Sequence, residues 1–328
     1  MAKERMFLNR ALSLAVRKEM EADQDVIVLG EDLLSRGGGL STFMGIPEAF
    51  PNRCFDMPIA EQAFSNTAIG MASIGARPVV DLMFSDFLGV CGDALFNHAP
   101  KMRFSSLGKI SVPVVFFAGN GGRATFGGVG SGINHSQCVE SWFANVPGLK
   151  IVMPYYPEDA YGLLRASIRD NDPVLFLYHE GSLGKKGEVD EDIVIPISNA
   201  AKVVREGKDV TIVALQSMVP VAVKAAKQLE KEGIDAEIID PRVIIPLDEE
   251  AIIKSVKKTG RVLIVHEAHT RGGFGGEIAA IIADKCFRDL KAPVKRLGSL
   301  NTPIPAGFAE YLMVPHTDDI VSSVKEIL

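Results

Sequence analysis

A glutamate in the stretch DMPIAEQAFSNTAIGMASIG, Asp56 to Gly75, is the side chain best placed to do chemistry. Asp56 can cap a helix, Pro58 suits its first position, and Glu61 then falls in the first turn. Phe64, Ala68, Met71 and Ala72 follow at helical spacing, with Gly70 and Gly75 allowing close approach or a stop. Such a carboxylate, at the positive end of a mostly apolar helix, either partners the helix dipole or handles protons. The second candidate is His135, which ends the glycine-dense run GNGGRATFGGVGSGINHSQ and gives a closely approached loop a titratable group. Ser136 beside it does not make a hydrolase: neighbouring side chains rarely face each other, and no GxSxG elbow is present.

Further candidates are weaker. Glu31 and Asp32 stand just beyond an apolar run, Val26 to Leu29, where open α/β sheets bind ligands. The triplet Gly37 to Gly39 lacks the lysine and helix start of a phosphate loop. Carbonyls at a helix end beside Asp170 and Asp172 could hold a cation, or the segment is a solvated turn. His266, Glu267 and His269 lack a third well-spaced metal ligand and read as a polar loop. Phe84 and Phe87 straddle a strand-to-helix turn, as core or as rings beside a ligand.

The elements that must position these residues alternate. An amphipathic helix from Met6 to Asp23 precedes the Val26 strand, and Arg77 to Met83 forms a strand followed by a helix from Asp86 to Met102 that Pro100 would end or kink. Strands at Val112 to Ala118, Leu149 to Met153 and Val174 to Tyr178, with a helix from Glu158 to Arg169, complete one set. A second runs from the Val210 strand through helices at Val219 to Glu232 and Gly275 to Cys286, with strands at Ala236, Val262 and Val294 and a closing helix. The expectation is an α/β protein of two parallel-sheet domains, 1–185 and 210–328, joined by a polar linker at 186–209.

Composition narrows the class. The 328 residues, 47% hydrophobic, carry a formal net charge of −6, with a pI near 5.6, which argues against a nucleic-acid or anionic-membrane surface. Cys54, Cys91, Cys138 and Cys286 form no CxxC pair and read as thiols of a reducing compartment. No apolar signal core or membrane-length run appears, so the cytoplasm is the expected location.

Together, Asp56-Met-Pro-Ile-Ala-Glu61, Arg77-Pro78, His135-Ser136-Gln137, Pro147-Gly-Leu-Lys150, Pro157-Glu-Asp-Ala160, Arg169-Asp-Asn-Asp-Pro173 and Pro246-Leu-Asp248 carry a resemblance. In this order the chain resembles, from about Phe7 to its end, the β subunit of the first component of the 2-oxo acid dehydrogenase complexes. That family comprises thiamine-diphosphate-dependent pyruvate, branched-chain and acetoin dehydrogenases. Leu82 to Cys91 is most similar to the acetoin members. The loop from Gly119 to Asn134 departs from the family by several extra residues.

The resemblance implies a pyrimidine-binding domain followed by a transketolase C-terminal-like domain. It implies that Glu61 hydrogen-bonds the aminopyrimidine ring of thiamine diphosphate, and that Glu31, Ile59, Ala60, Met83, Phe87 and Val90 line the cofactor, with Phe87 stacked on the pyrimidine. It gives His135 the handling of substrate and of acyl transfer to a lipoyl group. It places a structural potassium at Val114, Ser167, Ile168, Asp170 and Asp172. The Gly-Asp-Gly…Asn motif that holds Mg²⁺ is missing, Gly92-Asp93-Ala94 being the only near match. Mg²⁺ and half the cofactor site should therefore come from an α subunit in an α2β2 assembly, with a dihydrolipoyl acyltransferase docked on the C-terminal domain. The C-terminal half of a split transketolase and a non-catalytic regulatory subunit are the alternatives.

Overall fold

The computed structural model describes residues 3–123 and 129–328, so residues 124–128 of the long loop lie outside the described residues. The chain divides into two units: residues up to Asn120 with Trp142–Ile197, and Gly121–Ser141 with Ser198–Leu328.

In the first unit, β1 (Glu4–Phe7) leads into α1 (Leu8–Ala22) and β2 (Val26–Gly30). Then come β3 (Cys54–Asp56), α2 (Glu61–Ser73), β4 (Arg77–Phe84), β5 (Val115–Asn120), β6 (Lys150–Val152), α3 (Pro157–Arg169), β7 (Val174–His179) and β8 (Lys186–Val189). Within this unit the strands of the large sheet run β3-β2-β4-β5-β7-β6, every one of these pairs parallel. Parallel strands must bury both faces, which is why VIVLG and VLFLYH are apolar almost throughout and fully buried. Phe117 anchors that core against Phe43, Phe176 and Tyr178 with ring centroids 5.3, 5.7 and 4.7 Å away. The chain leaves β2 toward β3 on one side and leaves β4 toward β5 on the other. The carboxyl ends of β2 and β4 therefore flank a topological switch point, where the connections splay and leave a crevice.

The second unit holds β9 (Lys202–Arg205), β10 (Val210–Ala214), α4 (Met218–Lys231), β11 (Ala236–Asp240), α5 (Glu249–Thr259), β12 (Val262–His269), α6 (Gly275–Cys286), β13 (Lys295–Ser299) and α7 (Thr317–Lys325). Its sheet runs β13-β12-β10-β11-β9. The inner pairs are parallel, but β9 joins β11 antiparallel, so this sheet is mixed at one edge. Asp248 caps α5 through Ala251 N–H at 3.1 Å, and Gly260 ends it in the left-handed region.

Several expectations are corrected. Asp56 does not cap α2: it is the last residue of β3, paired with Gly30, and its carboxyl accepts the Leu33 N–H at 2.7 Å. The N-cap is Ala60, without a side-chain hydrogen bond, and Pro58 precedes the helix. In α2, Phe64, Ser65, Ala68, Ile69 and Ala72 face the core while Gln62, Ala63, Thr67 and Gly70 are exposed. The Asp86 to Met102 helix is broken into a 3-10 turn (Ser85–Gly89), a π turn (Ala94–His98) and an α turn (Ala99–Ser105). Gly89 and Gly92 loosen the first, and Pro100, with no N–H to give, stands in the first turn of the last. The polar stretch 186–209 carries two strands: β8 pairs antiparallel with β1, and β9 edges the second sheet. Their few large apolar side chains follow from edge positions, which need little burial. His266 and Glu267 lie inside β12, buried, and not in a loop.

Candidate active site

Near the carboxyl ends of β2 and β4 stand Glu31 and Met83, with Ala60 and Glu61 in reach of Glu31. Glu31 follows β2 directly and is 5% exposed, and its Oε1 has no hydrogen-bond partner among the described residues. Burial first, then the charges of Glu61 and Asp32, push its carboxyl up to about 6, against the pull of the Ala60 N–H. Glu61 opens α2 half-buried, near enough for its charge to be felt at Glu31. A helix N-terminus has orphan N–H groups and a positive end, which explains why a carboxyl is tolerated there.

Behind Glu31 stands an acid that the sequence reading passed over. Asp81, in the middle of β4 opposite Gly30, is 1% exposed. Burial pushes it up to about 7, the Met83 N–H works against this, and the charge of Glu31 adds to it. The signal was present as an aspartate inside the apolar run RPVVDLM, since charged residues almost never sit fully buried unless paired. Glu31, just past β2, and Asp81, opposite the last residue of β2, are thus two neighbouring buried carboxyls raised above the ordinary range.

Met83 closes that end in a left-handed conformation, φ 55°, which costs a non-glycine residue energy and persists only where neighbours enforce it. The Asp81 carboxyl accepts its N–H at 3.0 Å, and Tyr178 OH donates to its carbonyl at 3.4 Å. Gly39 has no room for a Cβ because the Met83 side chain fills that space, and Gly38 likewise abuts the Asp81 carboxyl. The glycine triplet is thus a packing surface for the acid and the methionine. Phe87 is half-buried, edge-on to Phe84 at 5.6 Å. Ala60 is half-buried, whereas Ile59 and Val90 are 85% and 55% exposed. Cys91 is buried, its Sγ accepts a hydrogen bond from the Ser65 hydroxyl at 3.4 Å, and burial raises its thiol to about 11.

His135 belongs to the other unit, within Gly121–Ser141. Its N–H donates to the Gly132 carbonyl at 3.2 Å, and Nδ1 is 3.0 Å from Asn134 Oδ1. Of the residues matched to potassium, Ser167, Ile168, Asp170 and Asp172 lie at or just past the end of α3, and Val114 immediately precedes β5. The Arg77 guanidinium donates to the Ile168 and Asp170 carbonyls at 3.1 Å each. The Val114 carbonyl accepts Val174 N–H at 2.9 Å, and that of Ser167 accepts Asp170 N–H at 3.3 Å. Lys150 reaches both Asp170 oxygens at 2.7 Å and Asp172 at 3.2 Å. Burial alone would raise Asp172, but hydrogen bonds from Arg103 and Lys150 hold it below the usual range. The turn is therefore not merely solvated; it gathers carbonyl oxygens around a cation of the chain itself. His266 is held neutral, its pKa lowered to about 4 by burial, with Nδ1 at 2.9 Å from the Ala268 carbonyl. Among the described residues no cluster of three His, Cys, Asp or Glu could hold a metal, and no helix is long and apolar enough to cross a membrane.

A sheet with acids at its switch point and a second, smaller α/β unit define a transketolase-like chain. The family model for the transketolase pyrimidine binding domain matches residues 5–186 and that for the transketolase C-terminal domain residues 199–320. A split-gene transketolase, an inactive β4 tetramer, has the same fold, with a TM-score of 0.76 at 24% identity over 98% of each chain.

Sequence kinship is narrower. The chain is 43% identical over 323 residues to the 2-oxoisovalerate dehydrogenase subunit beta of Bacillus subtilis (strain 168), covering 97% of each. It is 42% identical over 331 residues to the mitochondrial pyruvate dehydrogenase E1 component subunit beta-2 of Oryza sativa subsp. japonica, covering 99% of this chain and 86% of that one. With the acetoin:2,6-dichlorophenolindophenol oxidoreductase subunit beta of B. subtilis the identity is 41% over 337 residues, covering 98% and 95%. The chain belongs to this family of dehydrogenase first-component β subunits. Kinship at this level runs to dehydrogenases and not to the split transketolase, which is alike in fold alone.

Proposed function

We propose that the chain is one half of a thiamine-diphosphate-dependent first component that cleaves a 2-oxo acid or acetoin and passes the acyl group to a lipoyl carrier. The observation that carries this reading is the pair of carboxyls beside the ends of β2 and β4. Glu31 Oε1 is buried there without a partner among the described residues, Glu61 heads α2 within electrostatic reach of it, and Ile59 and Val90 are exposed. A buried polar atom without a partner is rare, and fits a site that a polar ring completes.

When bound, thiamine diphosphate supplies the electron sink for breaking the bond next to the oxo group. Glu61, at the start of α2, would hydrogen-bond a ring nitrogen of the cofactor and exchange a proton with it. Glu31 and Ala60 shape the floor, Met83, Ile59 and Val90 supply apolar walls that exclude water, and Phe87 offers a ring face for stacking. His135 orients the substrate carboxylate or oxygen and serves the acyl transfer.

No Gly-Asp-Gly motif stands in the sequence, so Mg²⁺ and the diphosphate fall to an α subunit in an α2β2 assembly, which would cover Ile59 and Val90. Residues 210–328, read as the C-terminal domain after a linker at 186–209, dock a dihydrolipoyl acyltransferase. Cysteines without a disulfide suit a reducing compartment such as the cytoplasm. Potassium at Val114, Ser167, Ile168, Asp170 and Asp172 is compatible with the carbonyls gathered there, provided it shares two of them with Arg77. A melting temperature no higher in KCl than in choline chloride of equal strength would remove it from the reading.

Reconstitution tests the whole. The chain with an α subunit should reduce a lipoyl acceptor with pyruvate, a branched-chain oxo acid or acetoin, and the best rate names the substrate. Strong turnover by the chain alone would refute a divided site.

A further inference from the structure

Residues 121–141 follow β5 in the chain yet belong to the second unit, and the structure shows what ties them there. The loop is closed on itself by the Gly121 N–H, which donates to the Gln137 carbonyl at 3.0 Å. Gly130 and Gly307 form an antiparallel bridge, the Gly307 N–H donating to the Gly130 carbonyl at 3.0 Å. Glu267, 4% exposed in β12, accepts the Gly122 N–H at 2.6 Å through Oε1 and the Ser217 hydroxyl through Oε2. Glu310, fully buried, fills the space that a side chain at Gly122 or Gly130 would need; a methyl group at either would overlap its carboxyl.

Two buried acids thus press on the glycines of the loop that carries His135. Burying a carboxyl gains little stability over a well-packed apolar side chain of similar size, so its presence here argues for fixing a geometry. The glycines at 122 and 130 have the same cause: they let the carboxyls approach the backbone.

We propose that Glu267 and Glu310 are positioning residues for His135, clamping the loop so that the imidazole is presented in one place to the reacting groups. This rests on the reading of His135 as the histidine that handles substrate.

The test has two arms. In the first, backbone amide exchange over residues 121–141 is followed in the full chain. Glu267→Ala should speed exchange at Gly122 on the order of tenfold, the loss of a charge-assisted hydrogen bond. Glu267→Gln, which still accepts, should restore most of the protection. Gly130→Ala, which drives a methyl into Glu310 while leaving both acids in place, should loosen residues 129–137 and guards against a Glu267→Ala chain that fails to fold. Unchanged exchange in Glu267→Ala or in Gly130→Ala overturns the clamp.

In the second arm, turnover is measured after assembly with an α subunit. The double variant Glu267→Ala/His135→Ala should lose no more kcat/KM than His135→Ala alone, because a residue acting through another has nothing left to position. Additive losses would overturn the proposal, as would faster exchange without any loss of turnover in Glu267→Ala. Normal turnover in His135→Ala would instead refute the reading of that histidine, with the exchange arm still reporting on the clamp.

Discussion

Asp81→Asn should make the isolated chain more stable, by an amount that grows as the pH rises from about 4 to about 7. Asp81 is buried, opposite Gly30, with its carboxyl raised from an ordinary 3.8 to about 7 by desolvation. A raised carboxyl in the folded state means that folding favours the protonated form. Below pH 3.8 the acid is neutral in both states and there is no penalty. Between about 4 and 7 the unfolded chain releases the proton and the folded chain keeps it, so stability falls by about 1.4 kcal/mol per pH unit. Above 7 the loss is complete, and the three-unit shift sets an upper limit of about 4 kcal/mol. Asparagine keeps the carbonyl that receives the Met83 N–H at 3.0 Å and carries no charge. Its advantage should therefore be near zero at pH 4 and reach about 2–4 kcal/mol at pH 8. Urea unfolding followed by Trp142, the only tryptophan of the chain and part of the first unit, reads out the relevant half. An advantage equal at pH 5 and pH 8, or no advantage at either, would refute the reasoning.

Other perturbations follow from the same geometry. Glu19, 3% exposed, accepts Arg165 Nε and Arg169 Nε at 2.7 Å each; Glu19→Ala strands a buried guanidinium and should cost about 3–5 kcal/mol in denaturant unfolding. Gly38→Ala meets both a left-handed backbone, φ +83°, and the Asp81 carboxyl. It should cost about 1–3 kcal/mol and, in the assembled enzyme, weaken thiamine diphosphate binding measured by titration. Ile59 is exposed in the lone chain. Ile59→Asp should therefore shift its unfolding by less than about 0.5 kcal/mol while weakening association with an α subunit at least tenfold, by sedimentation.

The fold was largely legible because parallel strands advertise themselves: Val26 to Leu29 and Val174 to Tyr178 have no polar face to confuse the period. Where the reading missed, competing signals were at work. Asp56 has the chemistry of a helix cap, yet strand pairing with Gly30 claimed it, and its carboxyl serves Leu33 instead. The apolar spacing after Asp86 is helical, but glycines and Pro100 divided it into three turns. Glu31 and Glu61 could be picked from the sequence because each stands at an element boundary. Asp81 signals itself only as an aspartate inside an apolar run, Glu267 reads as part of a polar loop and Glu310 gives no signal, since what they touch lies across the sheet or, as with Glu267 and Gly122, 145 residues away.

Turnover of the Glu61→Gln assembly tests the central claim most directly. The glutamine keeps the size of the side chain and cannot exchange a proton, so the variant, joined to an α subunit, should still bind thiamine diphosphate while its kcat falls on the order of a hundredfold or more. Near-parental rates in a correctly assembled enzyme would contradict the account.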